Sequence, residues 1–200
     1  FAADLRGFSE RDIVQLPSRE LVMADVVGVS RGYEQARLAA LDTLSGACFA
    51  VASVQAAAQR TMPPALLASS IVTLKAGEEA PLDELTHRLT DAGYERCSQV
   101  EGMGQFSVRG GILDIFPPQA EHPYRVEFWD DEIDSISTFD VGSQRRLEQC
   151  ETLRCLPCME ALPSLAKGGA AGLAKAVAAL ASSRRKKQHA ELQKNLERDA

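Results

Sequence analysis

Residues 104–140 read GQFSVRGGILDIFPPQAEHPYRVEFWDDEIDSISTFD. Over this stretch β-branched and aromatic residues recur at a period of two, a pattern that suits a half-buried strand and not a helix. In the first run Phe106, Val108, Ile112, Leu113, Ile115 and Phe116 supply apolar mass. Gly110-Gly111 interrupts it, as a bulge or a close backbone approach would. A polar turn, Pro117 to Pro123, leads to the second run. There Val126, Phe128, Ile133 and Ile136 are expected on a buried face, with charges between them. Asp130-Asp131-Glu132 reads as a hairpin tip between Arg125–Trp129 and Ile133–Phe139.

Around this centre the pattern changes. Ile13 to Leu16 and Leu21 to Val29 are short strand candidates, and Ser30 can cap the helix that follows. That helix carries Leu38, Leu41 and Leu44, with Tyr33 and Ala40 nearby, and Gly46 stops it. Cys48 to Val51 reads as a buried strand, and Ser53 as the cap of a second helix through Gln59. Pro63-Pro64 opens a helical turn, and Ser70 to Leu74 returns as a strand. Strands alternating with helices predict a parallel sheet. Lys75 to Glu79 marks a boundary. Pro81 then starts a helix whose Leu82, Leu85 and Leu89 share a face. Asp83 and Glu84 sit in its first turn, where the dipole favours them, and Gly93 ends it. Tyr94 to Val100 is another strand candidate, and Leu153 to Leu156 is expected to close the sheet. Pro157 to Lys167 connects to a last helix with Leu173, Val177 and Leu180 on one face. Its small apolar content predicts weak docking, or docking on something outside the chain.

The chain is therefore expected to hold a partial α/β domain over 1–77, an α+β domain over 78–160, and a linker with a returning helix over 161–200. An apolar fraction of 45% is enough for packed cores. The net charge of −6 argues against general nucleic-acid binding through phosphate contacts. Five cysteines, an odd number, are best read as free thiols in a reducing, cytoplasmic compartment. No apolar run reaches membrane-spanning length. The first residue is Phe, which suggests a processed or excised piece.

Several groups invite a chemical reading. Gly102-Met103-Gly104 and Gly110-Gly111 lack the spacing and the lysine of a phosphate loop, and are read as turn and bulge glycines. Cys155-Leu156-Pro157-Cys158 has the spacing of half a zinc site or of a redox pair. It lacks a second cysteine pair and is read as burial. Asp130, Asp131, Glu132 and Asp134 match no calcium loop and are read as a solubilising tip. Asp114, set between Leu113 and Ile115, calls for an arginine across the sheet. Ser107, His87 and Asp114 form a catalytic triad only on paper, because no nucleophile elbow surrounds Ser107. Arg184 to Lys187 is read as a solvated helix face. No catalytic, cofactor or metal site is expected in this stretch. The remaining set is Arg109, Arg125 and Trp129. Arg125 and Trp129 share one face of their strand, opposite Val126 and Phe128. Arginine and tryptophan are enriched in binding hot spots. The bland alternative is a local arginine–tryptophan packing contact.

From about Leu82 to Pro163 the chain closely resembles the bacterial transcription-repair coupling factor family. The motifs are LTDAGYERCSQV (89–100), GQFSVRGGILDIFPP (104–118), PYRVEFWDDEIDSISTFD (123–140) and SQRRLE (143–148). The excision-repair subunit UvrB shares part of this core. The helix after Ser30 and the segment VASVQAAAQRTMPP are similar, more distantly, to the part of the family's module that precedes it. The resemblance implies a UvrB-like, P-loop-NTPase-like α/β domain without a phosphate loop, interrupted by a UvrA-binding domain. It implies UvrA contacts at an arginine before the glycine pair, an arginine after the proline turn and an aromatic four residues on: Arg109, Arg125 and Trp129. Phenylalanine is usual at the last position. The implied role is non-catalytic recruitment of UvrA to RNA polymerase stalled at DNA damage. ATP, magnesium, DNA and polymerase would be handled by other parts of the full protein, an ATP-driven translocase. A fragment of UvrB, or a regulatory domain with another partner, are the alternatives; a tyrosine-rich DNA-inserting hairpin, expected of UvrB, is not found.

Overall fold

The structure is a computed structural model that describes residues 2–19, 32–46 and 48–198. The strand expected over Leu21–Val29 and the Ser30 cap lie outside the described residues. The chain divides into two compact units, residues 1–161 and 162–200.

The first unit opens with α1 (Ala2–Arg6) and β1 (Ile13–Leu16), followed by α2 (Gly32–Thr43) and β2 (Phe49–Ala52). β1 and β2 pair in parallel, as the alternation of strands and helices predicts. The expectation of a buried strand at Cys48–Val51 is corrected: β2 begins at Phe49 and is mostly exposed. α3 (Val54–Ala58) starts where expected, with Ser53 Oγ accepting the Ala56 amide at 3.1 Å. α4 (Pro64–Ser70) starts on the second residue of the diproline, with Pro63 at its N-cap.

β3 (Val72–Lys75) does not join the parallel pair. It pairs antiparallel with β10 (Thr152–Cys155) in a sheet of its own. Leu153–Leu156 therefore does not close the large sheet, as the pattern suggested. It forms a neck with the strand through which the chain enters. Between these two strands lie α5 (Leu82–Asp91), β4 (Glu95–Arg96), β5 (Gln105–Arg109), β6 (Ile112–Ile115), β7 (Tyr124–Trp129), β8 (Glu132–Phe139) and β9 (Arg146–Cys150). Strands β4 to β9 form one six-stranded sheet in sequence order. All its pairs are antiparallel except β4–β5. The strand expected over Tyr94–Val100 is reduced to Glu95–Arg96.

The period of two sorts each strand onto two faces. Val108, Leu113, Val126 and Ile136 face one another across four strands. Leu85 and Leu89 of α5 pack on this face, and the cluster extends to Phe106, Ile115, Ile133 and Leu153. Ile133 and Ile136 are three apart, so strict alternation would separate them. A register shift beside Glu127 and Phe128 restores both to the core. Gly110-Gly111 is not an interruption within a strand. It is the turn between β5 and β6: Gly110 has φ 58°, and a Cβ on Gly111 would lie 3.0 Å from the Phe128 carbonyl oxygen. The close approach is real, and the bulge expected there is found instead between β7 and β8.

After β10 the chain folds back beneath α5. The Cys158 amide donates to the Ala92 carbonyl at 2.8 Å, and the buried Tyr94 hydroxyl donates to the Leu156 carbonyl at 2.7 Å. Burial, with the neighbouring thiols Cys155 and Cys158, pushes the Tyr94 phenol far above its ordinary value, so it remains a donor. Tyr94→Phe would leave the buried carbonyl of Leu156 without this donor. The expected cost is about 1–2 kcal/mol, read from the midpoint of denaturant unfolding; an unchanged midpoint would remove Tyr94 as the tie of this segment.

The second unit contains a 3-10 turn (Pro163–Leu165) and α6 (Gly169–Arg198). Leu173, Val177 and Leu180 are exposed on α6. No helix among the described residues is long and apolar enough to cross a membrane.

Candidate protein-binding site

The face of the large sheet opposite α5 carries a polar rung. Ser107, Asp114, Arg125 and Ser137 stand side by side across β5, β6, β7 and β8. A carboxylate in this position is costly to bury unless it is paired and hydrogen-bonded. Asp114, its side chain 2% exposed, is both. Arg125 reaches it as a fork: Nε donates to Oδ1 at 2.7 Å and Nη2 to Oδ2 at 2.9 Å. Arg109 Nη2 donates to the same Oδ2 at 2.9 Å. The arginine that Asp114 calls for is therefore Arg125, directly opposite it, with Arg109 added from the other side.

Two further contacts fix Arg125. Its Nη2 also donates to Gln144 Oε1 at 3.2 Å, and its guanidinium lies over the Phe139 ring at 4.6 Å from the centroid. Gln144 occupies φ 58°, a left-handed conformation that a side chain rarely adopts. Hydrogen bonding to Asp114 raises the Arg125 guanidinium above its ordinary value. Arg125 also belongs to the fold. Its side chain is only 19% exposed and partly compensates a buried charge. Arg125→Ala thus affects stability as well as any binding. Arg109 is different: half of its side chain is exposed.

Trp129 ends β7 on the same face and is 80% exposed. Between it and Arg125 stands Glu127. Hydrogen bonds from Ser135 and Arg146 hold the Glu127 carboxyl below its usual range, with Arg146 Nη2 at 2.7 Å from Oε1. The face thus offers one exposed indole, one half-exposed guanidinium tied to Asp114 through a single nitrogen and one guanidinium fixed as a fork, on β7 and, two strands away, β5.

The other candidates fall elsewhere. His87 is exposed on α5, which packs on the face opposite Ser107 and Asp114. The paper triad is therefore not assembled. Cys155 and Cys158 are buried, and burial pushes the Cys155 thiol well above its ordinary value. Asp130, Asp131, Glu132 and Asp134 are exposed at the β7–β8 tip, where the Asp131 carbonyl accepts the Ala80 amide at 2.8 Å. Among the described residues no group of three or more His, Cys, Asp or Glu side chains could hold a metal. Arg184 to Lys187 are exposed on α6.

A second buried polar cluster has no local signature. Glu160, just past the neck, accepts from Arg37 Nε at 2.9 Å through Oε2 and from the Met62 amide at 3.2 Å through Oε1. Arg19 Nε lies 3.3 Å from the same Oε2. Arg37 is wholly buried and also donates to the Pro17 carbonyl at 2.6 Å. Arg37 and Glu160 are 123 positions apart in the chain and Arg19 is farther still, which is why the sequence alone does not reveal the cluster.

A family model described as the UvrB interaction domain matches residues 72–160. These are the residues bounded by the β3–β10 neck, and they contain the whole polar face. Residues 72–160 are a UvrB interaction domain. The family match starts at Val72 and takes in β3. Over a wider span the chain is of transcription-repair-coupling-factor type. It is 34% identical over 158 residues to the transcription-repair-coupling factor of Haemophilus influenzae, covering 78% of this chain and 14% of that protein. It is 38% identical over 174 residues to that of Mycobacterium tuberculosis, covering 82% of this chain and 14% of that protein. Against that of Staphylococcus aureus identity reaches 48% over 80 residues, 40% of this chain and 7% of that protein. The chain thus spans about 14% of the length of the first of these relatives.

Proposed function

We propose that the interaction domain is a docking face for UvrA, in a protein that recruits nucleotide-excision repair to RNA polymerase stalled at DNA damage. The observation that carries this reading is the exposed Trp129 on the same sheet face as Arg125 and Arg109. An indole gives a large contact area at low entropic cost, and guanidinium groups add charge-assisted hydrogen bonds to carboxylates. The role is recruitment by contact in the cytoplasm, not catalysis by these residues. Residues 1–77 are then part of a UvrB-like α/β domain without a phosphate loop, and 78–160 its inserted domain, with 161–200 returning to the first. Handling of ATP, magnesium, DNA and polymerase belongs to other parts of a longer protein.

The test is titration of the chain and its variants against UvrA. Arg109→Ala and Trp129→Ala are each expected to weaken binding by about 2 kcal/mol, roughly thirtyfold. Trp129→Phe keeps an aromatic surface and is expected to lose little. Circular dichroism should show all three folded, since both side chains project from the sheet. If the folded alanine variants bind UvrA as tightly as the parent, this face is not the docking surface.

A further inference from the structure

We propose that Asp114 is a positioning residue of the docking face: it consumes the fork of Arg125, and so leaves Arg109 as the guanidinium that grips a carboxylate of the partner. This rests on the reading of the face as a UvrA-docking surface.

An arginine has five N–H donors, and its strongest grip on a carboxylate uses two in parallel. Arg125 already spends Nε and Nη2 on Asp114, and Nη2 also serves Gln144. Its flat side rests on Phe139. A partner can therefore meet only its Nη1 end. Arg109 is bound to Asp114 through Nη2 at 2.9 Å and is half exposed. Only one of its five N–H donors is engaged there, so the second Nη2 hydrogen, with Nε or with Nη1, can still form a parallel pair on an incoming group. Two arginines against one buried aspartate also leave one positive charge at the surface, the complement of one carboxylate. Asp114 touches no partner, because both arginines lie over it and its side chain is 2% exposed. Its effect is to hold Arg109 in one orientation before contact, so that less side-chain freedom is lost on binding.

The two simplest views of Asp114 predict opposite signs. If charge alone mattered, removing a negative group beneath a basic patch would strengthen binding to an acidic partner. A positioning role makes Asp114→Asn weaken it, by about tenfold or more. The loss should vanish when Arg109 is already absent: Asp114→Asn with Arg109→Ala should bind as Arg109→Ala alone does. Titration against UvrA measures all three, with circular dichroism to establish folding. A folded Asp114→Asn chain that binds UvrA as tightly as the parent, or more tightly, overturns the proposal. If Asp114→Asn does not fold, Arg125→Lys takes its place. Lysine keeps the charge but cannot fill the fork, so it should bind nearly as poorly as Arg125→Ala; full rescue by lysine overturns the proposal. Nitrogen-15 spectra of the arginine side chains in the unbound parent form the second arm. Slow guanidinium rotation is expected at both Arg109 and Arg125, and rotation at Arg109 as free as in a solvated arginine also overturns the proposal. A parent that shows slow rotation but no binding to UvrA refutes the docking reading and leaves the positioning geometry standing.

Discussion

Val126→Asp is expected to leave the interaction domain unfolded. Val126 sits at the centre of the large sheet, fully buried, between Leu113 on β6 and Ile136 on β8. Leu85 and Leu89 of α5 belong to the same packed cluster. The polar rung is on the other face, so the new carboxylate would meet no arginine. Burying an unpaired charge costs several kcal/mol even after relaxation, and the lost valine packing adds to it. A domain of ordinary stability has about 5–15 kcal/mol in total. The variant should show no cooperative thermal transition and no slowly exchanging amides in β5 to β8. A cooperative melt near the parent midpoint would mean that the face assignment of β7 is reversed.

Glu160→Ala is the second large effect. It removes the carboxylate that accepts Arg37 Nε and leaves a wholly buried guanidinium with the Pro17 carbonyl as its remaining described partner. Breaking a buried pair by deleting one member costs about 3–5 kcal/mol, because the other charge remains uncompensated. The Met62 amide loses its acceptor as well. Replacing both members with apolar residues of similar volume, Glu160→Leu with Arg37→Met, should recover most of the loss. The damage should be local. Amide exchange is expected to accelerate in α2 and around Met62, while β5 to β8 keep their protection. An unchanged midpoint for Glu160→Ala would show that the cluster contributes little to the fold.

The elements legible in the sequence are those specified by neighbouring residues. Pro81 and the leucines at 82, 85 and 89 define α5, and Gly93, at φ 88°, ends the turn after it. Ser53 caps α3 as its position suggests. The Asp130 tip is legible because a polar pair divides two alternating runs, and its φ of 56° is one that aspartate tolerates. The shared face of Arg125 and Trp129 follows from spacing, and so does the need of Asp114 for an arginine. What the sequence conceals are relations between distant segments. β3 and β10 hold equivalent apolar residues and could be assigned to either sheet; only tertiary pairing decides. The apolar residues of β2 predict burial, yet burial depends on what packs against a strand and not on its composition. Glu160 looks like any acidic residue in a loop. Its importance comes from Arg37, which sequence pattern places on an ordinary helix.

The neck formed by β3 and β10 has a topological consequence. Val72 and Cys155 are paired residues of adjacent antiparallel strands, so the polypeptide leaves this module at the place where it arrives. A body tethered through two touching ends is portable. It can be carried as a single insertion between two consecutive positions of a host without stretching that host, and short linkers can join its own ends into a permuted chain. The polar face proposed for docking is equally self-contained: Arg109, Asp114, Arg125, Trp129, Phe139 and Gln144 all fall inside the loop that the neck closes.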